Sequence, residues 1–132
     1  MRRPLLAVAL ILVLAACNSG KPEAASAPSG SVTVEKDGTQ VIDLRETDQY
    51  RFTPQEPHVH PGKVRIDFSN SSTTATHSLA FKPGGPTEEI PFLNPGDKKS
   101  IAFDIQTPGK YKFFCTFHES LGQRGTLVVD ES

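Results

Sequence analysis

Cysteine is scarce in this chain of 132 residues: it has two, Cys17 and Cys115. Only Cys115 falls within the part that reads as folded, which excludes a binuclear metal centre bridged by two thiolates. Methionine is scarcer still, with Met1 the single example. Charge of one sign is also lacking, since the formal net charge is −1, so no basic footprint for nucleic acid is present. Long apolar runs are limited to Leu5–Leu14, too short to span a membrane as an ordinary helix. No internal repeat occurs, and no helical periodicity persists after Ser31.

What is present begins with a targeting segment, residues 1–16. Arg2 and Arg3 form a positive start, Leu5–Leu14 an apolar core, and Leu14-Ala15-Ala16-Cys17 follows. That ending resembles the lipobox of bacterial lipoproteins, and the resemblance implies cleavage before Cys17 and lipidation of it; an ordinary secretory signal is the alternative. A lipid on Cys17 places the protein outside the cytoplasm, anchored to a bacterial membrane on its periplasmic or cell-surface face. Cys17 is then unable to pair with Cys115. A lone thiol in an oxidising compartment is open to oxidation; metal ligation explains its presence, and burial as a small inert hydrophobe is the other reading. Residues 17–30 are rich in Ser, Ala, Pro and Gly and read as a flexible linker. The folded domain is then 31–132.

That domain reads as all-β. Val32 and Val34 alternate with polar neighbours, Asp37-Gly38 marks a hairpin turn, and Thr39–Leu44 is the return strand. Gln49–Thr53 is a short strand stopped by Pro54. Val64, Ile66 and Phe68 alternate with Arg65 and Asp67, as do Ile101, Phe103 and Ile105 with their polar neighbours. Ser69–Thr76 is a polar loop before the apolar stretch Ser78–Phe81. A short helical turn is expected within Thr87–Leu93, limited by Pro86 and Pro91. Tyr111, Phe113 and Cys115 form another strand, and Thr126–Val129 closes the domain. About eight short strands with turns between them argue for an antiparallel sandwich or barrel.

Chemistry concentrates between Cys115 and Gly125. A strand runs into Cys115, His118 comes three residues later and Gln123 eight residues after Cys115, then Gly125 and an apolar run follow. A soft thiolate, an imidazole and an amide oxygen on one loop suit copper better than any hard cation, although imidazole also suits zinc.

This loop, together with Thr76-His77-Ser78-Leu79-Ala80-Phe81, resembles the cupredoxins, the blue-copper family of plastocyanin-like proteins. Phe52-Thr53-Pro54, Pro61-Gly62 and the strand to Asn70 look like the family's early region. The resemblance implies a Greek-key β-sandwich and one type 1 copper ion. It implies Cys115, His77 and His118 as equatorial ligands, with the distant histidine letting the scaffold fix the geometry. Similar ligation in both oxidation states keeps reorganisation small, as one-electron transfer requires. Gln123 stands where most members carry methionine, resembling stellacyanin-type members; an amide oxygen favours Cu(II) and lowers the potential. Ser78 is placed beside the ligands, where the family often hydrogen-bonds across to the cysteine loop. Phe117 lies beside His118, either on an apolar surface through which the imidazole is reached or as packing.

His58-Val59-His60 puts two imidazoles on one strand face, and with no further ligand of matching softness nearby they read as solvated. Glu88-Glu89 and Lys98-Lys99 read as exposed faces. Three functions compete. The first is a membrane-tethered, monomeric electron carrier serving protein redox partners. The second is copper binding or delivery, which Met- and His-rich tracts would favour. The third is a cupredoxin-fold module without copper redox function. Enzymatic readings fit poorly, because a Cys–His nucleophile pair normally comes from separate elements and Cys115 and His118 share one short loop.

Overall fold

Alternation of apolar and polar side chains builds the sandwich. In β5 (Gly62–Asn70) Val64, Ile66 and Phe68 are buried while Arg65 and Asp67 are only partly covered. In β2 (Gln40–Glu46) the same period carries Gln40, Ile42, Leu44 and Glu46 inward. The computed structural model describes residues 32–131; the signal segment 1–16, Cys17, the whole linker to residue 30 and the expected domain start at Ser31 lie outside the described residues.

Among the described residues, ten strands form two sheets. β1 (Val32–Val34) pairs with β2 through a turn in which Gly38 has φ +86°, a left-handed conformation that favours glycine. β3 (Phe52–Thr53) and β5 flank β2, and β8 (Lys98–Ile105) completes the first sheet beside β5. The second sheet runs β4 (His58–Val59), β10 (Arg124–Val129), β9 (Gly109–Phe114), β6 (His77–Phe81), β7 (Ile90–Leu93).

Three details differ from the sequence expectation. Two pairings, β2 with β5 and β4 with β10, are parallel, so the sheets are mixed. The chain leaves β2, visits β3 and the opposite sheet at β4, and returns as β5, a crossover long enough for parallel pairing. The segment Thr87–Leu93 holds strand β7 and not a helical turn: Ile90 and Leu93 are buried against β6, and Pro91 points outward. Two strands, β3 and β4, are only two residues long; β3 is the end of the expected Gln49–Thr53 strand, whereas β4 and β7 lie outside the sequence expectation and raise the count above eight.

The core lies between the sheets. Phe52 meets Phe113 and Phe68 at ring-centroid separations of 5.1 and 5.7 Å, and Ile42, Leu44, Ile66, Leu79 and Leu127 are fully buried around them. Each such side chain contributes roughly 1.5–3 kcal/mol relative to exposure. At one end of the sandwich, buried Asn70 organises the loop before β6. Its Nδ2 donates to the carbonyls of Ala75 and Leu93, both at 2.8 Å, and its Oδ1 accepts from the Ser72 amide at 2.9 Å.

Candidate metal centre

Two segments meet at that end. β6 begins with His77, and the register of β6 against β7 shifts between His77 and Leu79. Such an irregularity re-aims side chains: His77, Ser78, Leu79 and Ala80 are all buried in succession. The other segment is the loop between β9 and β10. It is closed by the Cys115 amide donating to the Gln123 carbonyl at 3.0 Å. Inside it, the His118 amide donates to the Cys115 carbonyl (3.3 Å), and a 3-10 turn, Glu119–Leu121, ends on Gly122 at φ +94°.

These segments bring His77, Cys115 and His118 together. Among the described residues they are the group of His, Cys, Asp and Glu side chains able to hold an ion, with one donor atom from each lying within 4.8 Å of the others. His77, Cys115 and Gln123 are fully buried, and His118 is half-buried. Cys115 Sγ lies 3.7 Å from His118 Nδ1. A thiolate and an imidazole bound to one ion at the usual lengths, in a trigonal arrangement, lie about 3.8 Å apart, so the donors fit a metal of this class as they stand. The set of two imidazoles and one thiolate is the trigonal geometry of electron-transfer copper sites. Burial first, and the neighbouring His118 next after the opposing Gln123 hydrogen bond, hold the His77 imidazole below its ordinary pKa, which favours the neutral form that a ligand requires.

Gln123 is buried against this group. Its Oε1 is 2.9 Å from His77 Nδ1 and its Nε2 donates to Glu46 Oε2 at 2.8 Å. Ser78 spans from β6 to the loop: its amide donates to Cys115 Sγ at 3.3 Å, and its Oγ accepts from the Thr116 amide at 2.7 Å. Phe117 is half-exposed beside His118, with ring centroids 6.2 Å apart. His58 and His60 stay apart from this group. His58 Nδ1 faces the Asp130 carboxylate at 3.1 Å, and His60 is exposed.

Sequence reasoning missed two neighbours. Glu46 is fully buried, accepts from the Arg51 amide at 3.2 Å, and has its carboxyl pushed up to about 7 by burial. The signal was there: Glu46 continues the inward period of Ile42 and Leu44. Tyr50 lays its ring 4.5 Å from that of His118 and 6.1 Å from that of His77. Its φ of +54° belongs to a turn in which the Tyr50 amide donates to the Thr47 carbonyl at 3.4 Å, where the sequence pattern points to a strand over Gln49–Thr53.

The profile of the cupredoxin-like domain matches residues 5–129. The chain belongs to this family. Among cupredoxin relatives, auracyanin-B of Chloroflexus aurantiacus is 27% identical over 139 residues, covering 81% of this chain and 59% of that protein. Plastocyanin of Dryopteris crassirhizoma is 29% identical over 96 residues, covering 64% of this chain and 92% of the fern protein. The chain thus spans under two thirds of the length of auracyanin-B. A solved auracyanin B structure superposes with a TM-score of 0.62 at 25% identity, over 80% of this chain and 99% of that one.

Proposed function

We propose that this cupredoxin carries single electrons between protein partners through one type 1 copper ion. His77, Cys115 and His118 would hold the ion, with Gln123 Oε1 as a weak axial donor. Bound there, copper supplies the Cu(II)/Cu(I) couple. The protein's residues do the rest. Cys115 and His77 shield the centre from solvent, Ser78 orients the thiolate, and the half-buried His118 imidazole leads outward beside exposed Phe117. The carrying observation is a fully buried cysteine that has two imidazoles within 4.8 Å.

The same burial favours moving electrons over moving the ion, since delivery would require donors from two different segments to open. An enzymatic role is less well supported: two surface clefts, each of about 490 Å³, open elsewhere, and neither is lined by a donor of the site. The protein's position outside the cytoplasm, held by a lipid on Cys17, its monomeric state and the domain start at residue 31 belong to the same proposal. No helix among the described residues is long and apolar enough to cross a membrane.

The test is to add Cu(II) to the purified protein and record visible absorption and EPR beside a Cys115→Ala control. The expected result is an intense thiolate-to-copper band that is absent from the control and bleaches reversibly with a reductant. No band, or one that persists in the control, overturns the proposal.

A further inference from the structure

A carboxylate is rarely buried without a partner, and Glu46 is buried with one that matters to the metal centre. Gln123 arrives from the loop after β9 with an amide that could present either end to the ion. The two ends are not equivalent: the oxygen has lone pairs to donate, whereas the NH2 group offers only hydrogens. Whether a fourth donor exists therefore depends on which way the amide is turned. Packing alone does not settle this, because oxygen and nitrogen are nearly the same size.

Chemistry settles it through Glu46. Its carboxylate Oε2 takes the Gln123 Nε2–H at 2.8 Å, while Oε1 takes the Arg51 amide at 3.2 Å. With the NH2 end so engaged, Gln123 Oε1 faces His77 Nδ1 at 2.9 Å, on the metal side. The other His77 nitrogen, Nε2, has no hydrogen-bond partner and lies 3.9 Å from Glu46 Oε1. An ion on Nδ1 leaves the hydrogen of a neutral imidazole on Nε2, and the nearby group there is this same carboxylate. One side chain of β2 thus backs two donors contributed by β6 and by the β9–β10 loop.

We infer that Glu46 is a positioning residue of the metal centre, fixing the Gln123 amide so that its oxygen faces the ion. This rests on the copper reading above, and on Gln123 as the axial donor.

The test compares the Cu(II) EPR and visible spectra of the full-length protein with those of Glu46→Leu, Gln123→Leu and the double variant. It adds the side-chain amide NMR signals of Gln123 in the metal-free protein. The expected result is that E46L acquires the spectrum of Q123L and that the double variant matches Q123L. In the metal-free NMR spectrum, the slowly exchanging amide proton of Gln123 loses its protection in E46L. An E46L spectrum equal to that of the unaltered protein, with Q123L distinct, overturns the inference. So does a double variant whose spectrum departs from that of Q123L. If E46L fails to fold, the isosteric Glu46→Gln takes its place, and an unprotected Gln123 amide in the unaltered metal-free protein is then sufficient to reject the inference. Failure of the copper reading shows separately, as a missing charge-transfer band in the unaltered protein. Failure of the axial assignment shows as a Q123L spectrum equal to the unaltered one. In both cases the metal-free NMR measurement still decides whether Glu46 holds the amide.

Discussion

The backbone amide of Ser78 donates to Sγ of Cys115 across 3.3 Å, and the hydroxyl of the same serine accepts from the next amide, that of Thr116, at 2.7 Å. One residue of β6 thereby serves the loop in two ways that mutation can separate. Ser78→Ala removes the hydroxyl and keeps the amide. The metal-free protein should lose about 1 kcal/mol, seen as a fall in Tm of roughly 4–8 °C. The thiolate-to-copper band should survive, because the main-chain bond to Sγ at 3.3 Å remains when the longer hydroxyl contact, at 3.6 Å, is lost. Loss of the band in this variant would show that the hydroxyl, and not the amide, governs the thiolate.

Gln123→Met replaces an amide oxygen with a softer thioether. Thioether favours Cu(I), so the reduction potential should rise. A tenfold shift between the two oxidation states corresponds to about 59 mV for one electron, and a rise of at least that size is expected by voltammetry. An unchanged potential would remove Gln123 from the axial role.

Buried Glu46 makes the metal-free protein sensitive to pH. Its carboxyl is raised from 4.5 to about 7. Below pH 4.5 it is protonated whether the chain is folded or not. As pH climbs toward 7 the unfolded chain releases its proton first, so stability falls through that window, by on the order of 3 kcal/mol, and levels off above it. His77 acts in the opposite sense. With its pKa lowered, the unfolded chain takes up a proton first as pH drops through 6.5, and stability is lost on the acid side. Glu46→Gln keeps the histidine effect and removes the carboxyl effect. Its stability relative to the unaltered protein should therefore grow between pH 4.5 and 7, as measured by denaturant titration at each pH. A constant difference across that range would contradict the raised pKa.

Gly125 is required for space. A Cβ there would sit 2.6 Å from the Gln55 carbonyl oxygen and press into the Phe113 ring. That carbonyl is held in place by the Thr126 amide at 2.9 Å, and Phe113 is a centre of the core, so neither yields easily. Gly125→Ala should cost roughly 1–3 kcal/mol, readable as a lower denaturation midpoint, whereas an unchanged midpoint would mean that the β10 backbone moves freely.

Much of the fold was legible because the strands are half-buried and alternate. Val64, Ile66 and Phe68 announce β5, and Asp37-Gly38 announces its hairpin. Strand direction was not legible, since alternation is the same whichever way a neighbour runs; this is why the parallel pairing of β2 with β5 went unseen. β7 is too short to show a period, and the prolines around it suggested a broken helix. At the metal centre, the spacing from Cys115 to Gln123 is local and could be read directly. Glu46 could be placed on the inner face by its register, yet its partner lies 77 residues away, and a charged residue reads as exposed until that partner is known.

The ladder of β9 and β10 continues without a break to the pair Phe114 and Arg124, and the Cys115 amide closes on Gln123 just beyond it. The ends of the intervening segment are thus held by main-chain bonds that are indifferent to side-chain identity. Side-chain replacements between Phe117 and Leu121 leave these main-chain bonds and the register of both strands in place, while Gly122, at φ +94°, stays a glycine and β6 continues to present His77 from its own sheet neighbours. The domain is built so that its chemistry can be exchanged as a cassette: descent with variation, or an engineer, can rewrite the loop and inherit the scaffold unchanged.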